Sequence, residues 1–216
     1  MQTVQNGKEK QITYAHEYRR LKKAINEEFY LEAIVICYAI IEDRLVSFLH
    51  HAGIVSRKNE KLMINRTASP FVNQLLNKKD NKTIRIKDIS MKMAIIQELI
   101  SLTEEKAVEI DMSISKDGDT GRRRSLAQRG YMAAIQKQIA RTVDVNSVQE
   151  ILKDINSWKD ERNQLIHALL NKTVGASEEA RKNCAKTGII LSRSIDDALV
   201  KPFKKDNRIR TKYNIQ

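Results

Sequence analysis

The stretch YLEAIVICYAIIEDRLVSFLHH, residues 30–51, is apolar almost all the way round at helical spacing. A helix that is hydrophobic on every side belongs at the centre of a bundle, because a surface helix keeps a polar face. Gly53 stands where such a helix would end. The 216 residues include only seven Gly and two Pro. Sheet proteins need many turns, and turns lean on those two residues. Their scarcity points to a few long helices, and the length suffices for one domain with a sizeable core.

Outward from this centre, residues 13–29 read as a first helix, with Thr13 as its cap and Glu17 in its first turn. Residues 1–12 are polar and read as a flexible N-terminus. Residues 54–87 lack sustained periodicity and read as loop, apart from a short helix at 69–77 opened by Ser69 and Pro70. Residues 88–111 predict one long amphipathic helix capped by Asp88. Glycines and arginines interrupt the pattern over 113–130, and a short helix follows at 131–142. A long helix covers 146–172, Gly175 breaks the chain, and a last core helix covers 176–200 with a mild interruption at Gly188. The tail, 201–216, is basic, has no clear period and reads as extended. The expected fold is all-α, an antiparallel helical bundle. It forms a single domain over 13–200 with insertions at 54–87 and 113–145, followed by the basic C-terminal tail.

Lys and Arg number 39 against 27 Asp and Glu, a formal charge of +12. That excess favours polyanionic partners through counterion release and steering, without choosing between RNA, DNA and an acidic membrane. From Gly121 to Arg141 there are basic residues and no acidic one. Arg122, Arg123, Arg124 and Arg129 are its candidate RNA contacts, a run that elsewhere is often just a solvated loop. Cys37 and Cys184 lie far apart and no Cys/His cluster has zinc spacing, so neither a disulfide nor a metal is required. His50 and His51 suit a helix C-terminus and are not read as ligands. The N-terminus lacks a hydrophobic signal region, and no apolar run is long enough for a bilayer. The expected setting is the cytoplasm, away from membranes.

The helix over 146–172 carries the chemistry. Val148, Ile151, Leu152, Ile155, Trp158, Leu165, Ile166 and Leu169 share one stripe, and Arg162 falls in the middle of it. Burying an unpaired guanidinium is expensive. Arg162 therefore needs a carboxylate, an anionic ligand, or an opening where a second subunit meets the first. Asn163 and His167, four apart, share the adjacent polar face, two turns beyond Asn156. Arg162 and His167 are five apart, so they diverge by well over a right angle around the axis. They converge if the arginine curls, or if paired helices from two chains face each other.

Glu161-Arg162-Asn163-Gln164-Leu165-Ile166-His167, preceded by Trp158 and followed by Ala168-Leu169-Leu170, resembles the signature of HEPN domains: Arg, a polar residue that is often Asn, a short spacer, then His. Glu42-Asp43 within its apolar helix resembles the second helix of that fold. The resemblance implies a helical bundle that dimerises, with two motif copies forming one composite cleft. It implies a metal-independent endoribonuclease without cofactor, in a toxin–antitoxin or antiviral (abortive infection) role, and hence a possible antitoxin partner. It also leaves room for a member that has lost activity and only binds RNA or protein.

The residues fit that chemistry in their own right. RNA cleavage without metal uses the 2′-hydroxyl as nucleophile, leaving a 2′,3′-cyclic phosphate and a 5′-hydroxyl. Imidazoles exchange protons near neutral pH, which suits His167. A guanidinium grips a phosphate bidentately and neutralises charge growing on it, which suits Arg162. Asn163 would orient the histidine or donate to a phosphate oxygen. Glu42, Asp43 and Glu161 are supporting candidates. Against this stand blander roles: an ion pair of Arg162 with Glu42 or Asp43, a surface histidine at 167, a core tryptophan at 158. Tyr14, Tyr18 and Tyr131 suit helix packing better than base stacking. A DNA-binding protein ranks lowest, since no helix-turn-helix with a tight glycine turn is recognisable.

Overall fold

A computed structural model describes residues 7–58, 61–65, 68–75, 86, 88–114, 130–170, 177–205 and 209. Among these residues the fold is all-α, as expected, but for one short hairpin. The chain divides into two compact units, Met1–Asp43 with Ile151–Ile195, and Arg44–Glu150 with Asp196–Gln216.

The first unit takes α1 (Gly7–Asn26), most of α2 (Tyr30–His51), most of α7 (Val145–Leu170) and α8 (Glu178–Ile195). Helix α1 starts well before the expected cap, so the N-terminal segment is helical from Gly7. Thr13 lies inside the helix, its hydroxyl donating to the Glu9 carbonyl at 3.0 Å. The reason is tertiary. Lys10 pairs with Asp43 at 2.8 Å and the Tyr14 hydroxyl donates to the same carboxylate, which draws the first turns into structure. The helix also ends earlier than expected. Glu28 adopts a left-handed backbone, φ 62°, while the Phe29 amide bonds the Ala24 carbonyl at 2.8 Å. That closure normally takes Gly or Asn, and a side chain there costs about 1–2 kcal/mol.

Helix α2 has the expected bounds and buries Ala33, Ile34, Cys37 and Ile41 in this unit. Helix α8 runs unbroken through Gly188, so that glycine is a packing residue and no interruption. A Cβ at 188 would lie 2.7 Å from the Trp158 ring and 2.9 Å from Cys37 Cβ. The Trp158 indole, 2% exposed, donates through Nε1 to the Cys184 carbonyl at 2.8 Å. Cys37 and Cys184 are both buried free thiols.

The second unit opens within α2, at Arg44. Gly53, φ 73°, closes that helix as expected: its amide bonds the His50 carbonyl, and the Ile54 amide bonds that of Leu49 at 2.8 Å. The segment expected to be loop then folds into antiparallel strands β1 (Val55–Lys58) and β2 (Lys61–Ile64), in the register Val55 with Ile64 and Lys58 with Lys61. Two strands alone are marginal. The Asn65 amide to the Ile54 carbonyl, 2.8 Å, and the Asn65 side chain on the Gly53 carbonyl tie them to the end of α2. Helix α3 (Ser69–Leu75) follows, opening at Ser69 and Pro70 as expected.

The long helix expected over 88–111 is two, α4 (Ile89–Ile100) and α5 (Glu104–Ile114). Asp88 caps α4 as expected, accepting from the Met91 amide at 2.7 Å. Thr103 starts α5, its hydroxyl accepting from the Lys106 amide at 3.3 Å, with Glu104 and Glu105 favourably placed in the first turn. Helix α6 (Tyr131–Thr142) has no cap of its own, because Gly130 precedes it. Asp111 of α5 supplies one, accepting from the Met132 and Ala133 amides at 3.1 and 3.2 Å. Tyr131 is fully buried, its hydroxyl donating to the Ala52 carbonyl at 2.8 Å, and is closed to a base.

After Ile195 the chain winds one wide turn, Asp196–Val200, before helix α9 (Lys201–Lys204). The start of the tail is thus helical and packed, not extended. Phe203 meets the Phe48 ring edge-on at 4.9 Å, and Gln138 donates to its carbonyl at 2.9 Å. Asp196, buried in the wide turn, pairs with Arg44 at 3.1 Å.

One packing site and one titrating group give measurable consequences. Gly188→Ala drives a methyl into an indole and a cysteine Cβ, neither of which is a flexible end, and should cost about 1–3 kcal/mol in urea unfolding. Burial holds the Asp111 carboxyl above the usual carboxylate range, although the amides of Met132, Ala133, Gly130 and Tyr131 pull it back. A raised carboxyl binds its proton more tightly when folded. Its stabilising share is complete below about pH 4 and is lost as pH rises through the folded value. Wild type should therefore lose stability relative to Asp111→Asn between about pH 4 and pH 7, read as urea midpoints across that range.

Candidate functional site

Helix α7 positions the whole motif, and Trp158 positions α7. One turn beyond the tryptophan, Arg162 continues the stripe of Ile155, Trp158 and Leu165, all three of which are buried. Arg162 itself is half-buried. Its guanidinium lies over the Tyr38 ring, 4.3 Å from carbon to centroid, and its Nη1 donates to the Asn163 carboxamide oxygen at 2.8 Å. Its Nε is buried and has no hydrogen-bond partner among the described residues. Among the described residues no carboxylate lies within ion-pair distance of it.

The ion pair weighed for Arg162 with Asp43 is therefore not made. Asp43 is engaged by Lys10 and Tyr14. Glu42 is half-buried and Glu161 exposed. Asn163, half-buried, braces the arginine and not the histidine. Asn156, exposed two turns before Asn163, accepts from Lys159 at 2.9 Å. His167 is exposed near the end of α7, and among the described residues it makes no hydrogen bond. Arg122, Arg123, Arg124 and Arg129 lie outside the described residues.

Within one chain, then, Arg162 and Asn163 are brought together and His167 is not brought to them. Five residues on a helix separate two side chains by about 140°. The structure adds Tyr38, which sequence reasoning missed. Its signal was faint: one tyrosine beside Cys37 in a largely apolar helix that also holds Tyr30 and Phe48.

The electrostatics of this corner are also registered by a thiol. Burial pushes Cys184 up to about 12, Glu161 adds to the rise, and the Trp158 indole and Arg162 charge oppose it. The Glu161 and Arg162 charges thus act in opposite directions on the Cys184 thiol. Among the described residues, no group of His, Cys, Asp and Glu could hold a metal ion, and no helix is long and apolar enough to cross a membrane.

No family model, no curated protein and no solved structure matches the chain. What the site can do is read from its own chemistry. A guanidinium supported by an aromatic face and a carboxamide, with no carboxylate among the described residues to neutralise it, suits an anion with planar pairs of oxygens.

The ring under Arg162 should be visible in solution. In Tyr38→Phe, the Arg162 Nε–Hε NMR signal should keep its ring-current shift and slow exchange; in Tyr38→Leu it should lose both. The leucine variant should also unfold about 1 kcal/mol more easily than the phenylalanine variant.

Proposed function

We propose that the chain is a metal-independent endoribonuclease of the HEPN type, with Arg162, Asn163 and His167 of α7 as its working set. What supports this is the state of Arg162. It is a half-buried cation held by Tyr38 and Asn163 and, among the described residues, left without a carboxylate. Leaving a buried donor unsatisfied costs about 1–3 kcal/mol, and a passing anion removes that cost. The net charge of +12 favours a polyanion as its source.

In the reaction the RNA 2′-oxygen attacks the adjacent phosphorus as its proton passes to an imidazole. The bond from phosphorus to the 5′-oxygen breaks, and that oxygen takes a proton from a second imidazole. The products are a 2′,3′-cyclic phosphate and a 5′-hydroxyl. Arg162 neutralises charge growing on the non-bridging oxygens. Asn163, its carbonyl oxygen committed to Arg162, has its amide hydrogens to offer a phosphate oxygen. The divergence of Arg162 and His167 within one chain calls for a second copy, whose own His167 completes the pair. This homodimer with a composite cleft belongs to the proposal, as do a cytoplasmic setting, a toxin or antiviral role and an antitoxin partner.

The same divergence favours a second reading, a helical module that binds RNA or protein without cutting it. Incubation with RNA in EDTA separates the two. Wild type should cleave and leave cyclic phosphate ends, while His167→Ala should lose about 100-fold or more in rate. Cleavage by neither protein moves the function to binding. Cleavage that chelation abolishes, or 3′-hydroxyl ends, overturns the mechanism.

A further inference from the structure

We propose that Arg181 is a second phosphate-binding residue, forming with Arg162 a clamp of two guanidinium groups on one phosphate of the RNA backbone. The assignment rests on the ribonuclease reading for its substrate, but on separate observations for its geometry.

The first is helix register. On α7, Ile155, Trp158, Arg162 and Leu165 occupy one stripe; on α8, Arg181, Cys184, Ala185 and Gly188 do the same. Trp158 meets both the Cys184 carbonyl and the Gly188 backbone, so it sits level with the stretch between them. Residues 171–177 alone join the two helices, too short a length to return to the start of a parallel partner, so α7 and α8 run antiparallel. One turn forward from Trp158 to Arg162 is therefore one turn back on α8, which arrives at Arg181. Cys184, three residues from Arg181, feels the Arg162 charge, in keeping with that register.

The second is the state of the side chains. The Nε of Arg181, like that of Arg162, is buried and has no hydrogen-bond partner among the described residues. Among the described residues no carboxylate is within ion-pair distance of Arg181 either. Two cations at one level of a helix pair repel, and each keeps an unsatisfied N–H. A structural arginine in such a position normally finds a carboxylate. A phosphodiester supplies what is missing: one negative charge spread over two oxygens, each able to accept from a guanidinium fork. The phosphate of the substrate is the anion that the neighbouring Arg162 already calls for.

A 2′-O-methyl RNA oligonucleotide, which has no hydroxyl to attack, tests the clamp apart from catalysis. Arg181→Gln should weaken its binding about tenfold and lower the slope of log affinity against log salt by about one, as expected when the protein neutralises one phosphate fewer. Arg181→Lys should restore the slope and part of the affinity, because the charge returns without the fork. Lys186→Gln, which removes an exposed charge on the same helix, should leave the affinity within about twofold. Unfolding midpoints of all three variants close to wild type would place any loss at the phosphate and not in folding. Unchanged affinity and slope in Arg181→Gln overturns the clamp, even if wild type cleaves RNA. Weakened binding in Arg181→Gln, alongside a wild type that cuts no RNA, sustains the clamp and removes the ribonuclease reading.

Discussion

The candidate site depends on one packing interaction, the Trp158 indole seated in the gap that Gly188 leaves on α8. Glycine at 188 lets the ring approach the helix backbone, and the indole N–H is satisfied by the Cys184 carbonyl. A buried tryptophan contributes about 3–5 kcal/mol against truncation, so this interaction is among the strongest single ones in its unit. Because helices are stiff at this scale, fixing Trp158 also fixes the side chain one turn later. That side chain is Arg162, and its guanidinium is set against the Tyr38 ring.

Two half-buried arginines of the chain are treated in different ways. Arg44 meets Asp196 at 3.1 Å, with both side chains largely covered, and Lys201 adds a second cation to the same carboxylate. That is the structural solution: charge is neutralised within the protein. Arg162 receives an aromatic face and a carboxamide instead, which orient a guanidinium without cancelling it. The contrast matters because a fold able to pair one arginine has, among the described residues, given no carboxylate to another at its most distinctive sequence motif.

Much of the scaffold was legible from local signals. The bounds of α2 followed from its apolar run and Gly53, and the start of α4 from Asp88. The misses have physical causes. Thr103 with Glu104 and Glu105 is a helix start lying inside an unbroken hydrophobic pattern, so periodicity masked the boundary. Strands of four residues are too short for alternation to register against two lysine-rich ends. Phe203 and the wide turn before it belong to long-range packing that a basic tail conceals. At the site, Arg162 and Asn163 were visible as chemistry in a helix. Tyr38 was not, since only the tertiary fold brings α2 under α7.

The two thiols have a practical meaning of their own. Cys37 and Cys184 are both buried, and burial pushes each up to about 12. A thiol held protonated and covered is a poor nucleophile. Alkylating reagents should reach these sulfurs only when the first unit opens, and the opening that admits them is the one that would release Trp158. The chain thus carries a built-in chemical clock, in which the rate of thiol modification counts how often the support beneath Arg162 comes apart.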